Sequence, residues 1–269
     1  MKFIRLATIA ALSSTILAGG AISAFAEEAR EVSTDGQIQF TPPTDEDGEL
    51  EVLPPLDPDD EDTPDVDIDL EVPGTTGPLS IVKAATMNFG SQVISNQDQT
   101  YAMVAEMQPL KETGELVPYV SFAQVQDLRG TNEGWDLQVS LSEFESNTQN
   151  NVLTGAQIEF VGSRIQYEGN NAANAPTAHE DGLTILPNGA ARSVMTAAEG
   201  QGAGASSVVW GNQAELNEQF ADNSIEVVRN RAIELSIPGA TAKDATTYES
   251  TLTWELTATP SEDGPGTDA

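Results

Sequence analysis

The sequence predicts an all-β protein: an antiparallel β-sandwich of immunoglobulin-like layout, preceded by a signal peptide and a disordered acidic linker. Three observations predict it. From Leu79 onward, short apolar alternations are separated by Gly, Asn, Pro and Asp, at spacings that suit strands and turns. No convincing helical stripe appears. The alternation is one-sided, which fits antiparallel sheets packed face to face better than parallel sheets covered by crossover helices.

The elements follow in chain order. Residues 1–26 carry Lys2 and Arg5, an apolar run from Leu6 to about Ala18, and small residues ending at Ala26 before Glu27. That pattern reads as a secretory signal cleaved between Ala26 and Glu27. The apolar run falls short of the roughly 20 residues a spanning helix needs. With no Cys to accept a lipid and no apolar C-terminal tail, the chain is expected to be secreted without a lipid or covalent anchor.

Residues 27–78 are rich in Pro, Asp and Glu, with no Lys or Arg between Arg30 and Lys83. Such a stretch reads as a solvated spacer, because it buries little apolar surface and its charges repel. The sharper reading is a calcium site in Asp65-Val66-Asp67-Ile68-Asp69-Leu70-Glu71. A calcium loop needs a central Gly and helical flanks, whereas Pro64 and Pro73 bracket this run. No cofactor or metal ligand set is therefore expected, beyond divalent cations bridging surface acids.

The folded domain is placed at 79–260, with 261–269 a flexible tail. Its strands are expected at 79–83, 100–107, 134–144, 156–161, 183–186, 206–210, 231–237 and 248–258. In the third, Trp135, Leu137, Val139 and Leu141 share one face, and Asp136, Gln138 and Ser140 the other. The last repeats this, with Leu252, Trp254 and Leu256 opposite Thr251, Thr253, Glu255 and Thr257. The segments 169–182, rich in Asn and Ala, and 197–205, rich in Gly and Ala, are long for sandwich loops and candidates for binding.

Composition narrows the function. A net charge of −32 with 11 basic residues excludes nucleic acid and anionic lipid as simple electrostatic partners. Zero Cys leaves stability to apolar burial. The one histidine, His179, reads as an exposed loop residue, so no catalytic residues are assigned and the protein is not expected to be an enzyme. No glycine-rich phosphate loop is present.

Two segments carry a resemblance. Val125-Gln126-Asp127-Leu128-Arg129-Gly130-Thr131-Asn132-Glu133-Gly134-Trp135-Asp136-Leu137-Gln138-Val139 resembles the first signature of WxL-domain surface proteins of low-GC Gram-positive bacteria. Tyr248-Glu249-Ser250-Thr251-Leu252-Thr253-Trp254-Glu255-Leu256-Thr257-Ala258-Thr259-Pro260 resembles the distal one. A lead-in, Leu79-Ser80-Ile81-Val82 before Asn88-Phe89-Gly90, is also similar, although Ala85-Thr86-Met87 stands where Pro is often found.

The resemblance implies non-covalent attachment to the cell wall, with peptidoglycan as ligand. It also implies surface complexes with other WxL-type proteins and a membrane-anchored partner. The alternative is an interaction subunit or adhesin retained through a partner surface protein.

Signature residues carried over are Asp127, Arg129, Gly130, Trp135, Leu137, Tyr248, Leu252, Trp254 and Leu256. The two tryptophans read either as core or as a groove that stacks on sugar. Their shared face with Leu and Val favours core. Arg129 either pairs internally with an acid such as Asp127 or holds a wall-peptide carboxylate, the internal pair being favoured.

Overall fold

The structure, a computed structural model, describes residues 37–43, 51–55 and 63–260. The expected signal with its Ala26–Glu27 cleavage and the 261–269 tail lie outside them. Contacts divide the chain at residue 40, and every strand among the described residues lies in the unit 41–269.

In chain order these are β1 (Leu79–Lys83), β2 (Gln99–Val104), β3 (Glu106–Pro109), β4 (Leu116–Tyr119), β5 (Ser121–Asp127), β6 (Trp135–Leu141) and β7 (Gln157–Phe160). There follow β8 (Arg164–Tyr167), β9 (Thr177–Ala178), β10 (Leu183–Ile185), β11 (Arg192–Ala197), β12 (Gly204–Trp210), the helix α1 (Gln213–Ala221), β13 (Arg229–Ile237) and β14 (Leu252–Thr257).

Every strand pairing is antiparallel. Three four-stranded sheets run β1-β5-β12-β8, β10-β7-β13-β2 and β14-β6-β11-β9, with β3-β4 as a separate hairpin. The all-β expectation holds. One core joins the sheets: Ile81, Val125 and Val208 from the first, Ile158, Phe160 and Leu235 from the second, and Leu137, Val139 and Val194 from the third.

β5 shows why part of this was hidden in sequence. Ser-Phe-Ala-Gln-Val-Gln-Asp is buried along its whole length, although two glutamines weaken its apolar signal. Ala123 and Val125 face the main core. The other face, with Phe122, Gln124 and Gln126, is covered by residues 51–55. Gln124 exchanges two hydrogen bonds with the Leu53 backbone, accepting from Leu53 N at 2.9 Å and donating to Leu53 O at 2.7 Å. Gln126 Nε2 donates to Glu51 O at 3.1 Å. Buried amides paired in this way lose little on leaving water.

A second, smaller core lies on this outer side: Val66, Ala105, Tyr119, Val120, Phe122, Val209 and Leu216 of α1. The solvated-spacer expectation therefore fails for the described residues 51–55 and 63–78. Val66 is fully buried and forms an isolated bridge with Leu110, Asp67 N donates to Pro109 O at 3.0 Å, and Tyr119 Oη donates to Pro55 O at 2.7 Å. The alternating carboxylates of 65–71 signal a half-buried extended segment, with aliphatics inward and acids outward. Asp65 spends its charge on Lys111 at 2.7 Å.

The segment then shields the outer edge of β1. Thr75 N donates to Ile81 O at 2.8 Å, and Thr75 Oγ1 accepts from Ile81 N at 2.9 Å. The approach needs glycine beside it, because a Cβ on Gly74 would sit 2.4 Å from Val82 O. The helix α1 also departs from expectation. Only Gln213 and Leu216 are buried on it, too few for a visible stripe, but Asn212 caps it through Oδ1 accepting from Glu215 N at 3.0 Å.

A test separates a docked segment from a spacer. Val66→Ala removes two methyl groups from a closed site and is expected to cost about 1.5–3 kcal/mol in chemical denaturation. A solvated spacer residue would change stability by less than about 0.5 kcal/mol.

Candidate functional site

The proximal signature builds a turn that launches a buried tryptophan. Asp127 ends β5 with its side chain almost wholly buried. Arg129 turns back on it, donating from Nε to Oδ1 at 2.9 Å and from Nη2 to Oδ2 at 2.7 Å. The same Nη2 donates to Gly134 O at 2.8 Å. Asp127 beside it raises the guanidinium pKa further above its ordinary value, against the opposing effect of burial. Of the two readings of Arg129, the geometry shows the internal pair: the fork is committed to Asp127 and to the carbonyl that precedes Trp135.

Two glycines make this turn possible. Gly130 (φ +71°) and Gly134 (φ +77°) are left-handed, and a Cβ on Gly134 would meet Ala197 O at 2.3 Å. Trp135 then enters β6 with no exposed surface, as does Leu137. Its Nε1 donates to Gly202 O at 3.1 Å, and a Cβ on Gly202 would fall 2.6 Å from that nitrogen.

The Gly-rich segment 197–205 thus packs on Trp135. It is tied to the Asn-Ala segment by Gly202 N donating to Asn174 O at 2.8 Å and Gln201 Nε2 donating to Ala173 O at 3.2 Å. Both long segments cover core. Asp136, expected on a solvent face, is buried and accepts from Ser193 Oγ and Gln138 Nε2.

The distal tryptophan sits differently. Trp254 is half-buried on β14, the edge strand of its sheet, with Leu252 and Leu256 half-buried beside it. Its ring lies 6.1 Å from that of Trp210. Trp210, from the first sheet, is fully buried and stands 4.6 Å from Phe160 of the second. Sequence reasoning gave Trp210 no role. Its position on the apolar face of a strand, with Val208, was the signal available.

His179 completes the cluster, and its expected exposure is wrong: it is 4% exposed. Its Nε2 accepts from Trp210 Nε1 at 2.9 Å, and its Nδ1 contacts Glu180 O at 2.6 Å. Since a carbonyl only accepts, Nδ1 carries the proton and the ring is neutral. Desolvation lowers its pKa below the ordinary 6.5, opposed by the Glu180 carbonyl and the Asp181 charge. Loop composition suggested exposure, whereas indole needs a buried acceptor and imidazole supplies one.

Tyr248 opens the distal signature and closes a clamp. Its hydroxyl donates to Asn150 O at 2.6 Å and accepts from Asp244 N at 3.0 Å. The Asp244 carboxylate accepts from Asn150 N at 2.9 Å and Nδ2 at 2.7 Å. These bonds, the Asn150 backbone N–H foremost, hold its pKa below the ordinary 3.8.

Beside the clamp is a cleft of about 890 Å³, between residues 87–94 on one side and 243–252 on the other, with Tyr101, Leu235 and Ile237 on its floor. Phe89, Tyr101 and Tyr248 give it aromatic surface; Asn88, Gln92, Thr246 and Thr247 give it neutral polar groups. Its charged lining residues are Lys243, whose ammonium donates to the carbonyls of Ser95, Pro238 and Thr241, and the acids Asp244 and Glu249. The cleft brings together the lead-in residues Asn88, Phe89 and Gly90 and the distal residues Tyr248 and Leu252, which sequence reasoning had treated separately.

A family model described as WxL domain surface cell wall-binding matches residues 27–260. Neither curated proteins nor solved structures give a match. The matched span begins well before Leu79, in agreement with the packing of residues 51–55 and 63–78 on the sheets.

The two tryptophans are expected to differ in weight. Trp135→Ala should cost about 3–5 kcal/mol in denaturant unfolding, the range for a fully buried aromatic, and Trp254→Ala about half that. The His179 pair predicts a pH dependence. The unfolded chain takes up a proton near pH 6.5, which the buried ring resists. Stability is therefore full above about pH 6.5 and declines as pH falls below it. His179→Gln, which keeps an acceptor but cannot titrate, should flatten that part of a melting-temperature profile.

Proposed function

The chain belongs to the WxL family of surface cell wall-binding domains, and from that premise we propose that it is held at the wall by peptidoglycan glycan bound non-covalently in the cleft beneath residues 87–94. The cell-wall association itself is the family's property. What supports the finer reading is the cleft's surface, which combines the aromatic faces of Phe89, Tyr101 and Tyr248 with amides and hydroxyls. Of its charged groups, Asp244 is bonded to Asn150 and Lys243 to three carbonyls, and Glu249 is exposed. Ligand clefts commonly pair apolar walls with a few orienting polar groups in this way.

The charge balance agrees. Residues 79–269 hold 25 acids and 8 bases, a net of −17, so anionic wall polymers repel the domain. A neutral glycan escapes that repulsion. Divalent cations bridging surface acids to wall phosphate would add a weaker, diffuse attraction.

In this reading the protein is exported, with residues 1–26 removed after Ala26, and acts by binding without turnover. It also serves to assemble other surface proteins at the wall. Among the described residues no helix is long and apolar enough to cross a membrane.

Sedimentation of the chain with isolated peptidoglycan tests the proposal. The double variant Phe89→Ala, Gln92→Ala should reduce the bound fraction at least about tenfold, equivalent to about 1.4 kcal/mol, while α1 and the outer core stay intact by circular dichroism. Binding undiminished by both substitutions would remove the cleft from the wall-binding site. Added salt should strengthen retention on whole walls by screening the repulsion.

A further inference from the structure

We infer that the outer edge of β14 is a docking edge for an extended, basic strand of a different surface protein. This goes beyond wall binding and does not rest on the cleft. The register decides which backbone groups the edge offers. Ser142 N donates to Thr251 O, and β14 pairs with β6 as Thr253↔Ser140, Glu255↔Gln138 and Thr257↔Asp136. In an antiparallel ladder the groups of alternate residues point to alternate sides. Thr253, Glu255 and Thr257 therefore bond β6, and the N–H and C=O groups of Leu252, Trp254 and Leu256 point away from the sheet.

No strand among the described residues pairs with that side. The other sheet edges are short or bonded at least in part. β1 is bonded by Thr75, and Val104 N at the end of β2 donates to Asn88 O. β8, β9 and β10 are four, two and three residues long. β14, six residues long and carrying a half-buried apolar face, is left as a template of the kind proteins otherwise blunt.

The occupant follows from geometry and charge. Three outward residues at alternate positions accept an extended chain, and its alternate apolar side chains would cover the exposed flank of Leu252, Trp254 and Leu256. Glu255 is exposed on the opposite face of β14. Ahead of the strand, exposed Glu145 and Glu249 lie directly opposite each other in a bridge, bonded both ways at 2.8 and 2.9 Å. Like charges so placed destabilise a sheet, and lysines on an incoming strand relieve them. A second copy of this chain, at −32, would add to the repulsion.

The probe is a capped seven-residue peptide alternating valine with lysine and threonine, added at millimolar concentration to the full chain, with hydrogen exchange read by NMR. The amides of Trp254 and Leu256 should slow at least tenfold, with those of Thr253 and Glu255 little changed. A glutamate-for-lysine peptide should bind at least tenfold more weakly. Leu256→Pro removes one outward N–H and no β6 bond, so it should abolish binding. Unslowed exchange at both Trp254 and Leu256, or binding that survives Leu256→Pro, overturns the inference. Should that variant fail to fold, the exchange readout on the unaltered chain decides. Peptidoglycan sedimentation of the same sample reports the wall-binding reading separately.

Discussion

The indole of Trp210 holds the three sheets in one arrangement. It projects from the first sheet, lies against Phe160 of the second and faces Trp254 of the third. Its single polar atom is satisfied by His179, the residue that follows β9. An indole N–H buried without an acceptor would cost on the order of 1–3 kcal/mol, so the position of His179 fixes the path of the segment leading into it. With no cysteine in the chain, no disulfide contributes to this joint, which rests on aromatic packing centred on one hydrogen bond.

Around this centre the two signatures do unequal work. The proximal one is closed: Arg129 ties Asp127 to Gly134, and Trp135 is sealed by Gly202 and the segments behind it. The distal one is half open. Trp254 closes the cluster from a strand whose outer edge pairs with no strand among the described residues, and Tyr248 borders the cleft. A motif repeated in sequence thus supplies once a core and once a boundary between core and surface. The difference arises because β6 is an interior strand and β14 an edge strand.

The acidic N-terminal segment follows the same logic. Its carboxylates point outward while Val66 and Ile68 supply the outer core, and its backbone satisfies Gln124 and Gln126, which would otherwise be stranded on a buried strand. Composition read alone gives a spacer, because averaged over its length the segment is too polar to fold. Most of its packing depends on partners about 40 to 75 residues away in sequence, which no local pattern contains.

By itself, the sequence determined the all-β class, the family and most strands of the domain. Period-2 alternation made β6, β13 and β14 legible, and short apolar runs between turn residues did the same for β1, β2, β7, β10 and β12. Sequence left β4, β5, β8, β9 and β11 out, because very short strands and strands that are covered on both faces or carry polar residues lose that contrast. Tertiary structure alone decided that His179 is buried, that Arg129 is spent internally, that Trp254 stands at an edge, and that lead-in and distal residues share one cleft. Each of these depends on which strands become neighbours, and pairing between distant segments is set by the packing of whole sheets.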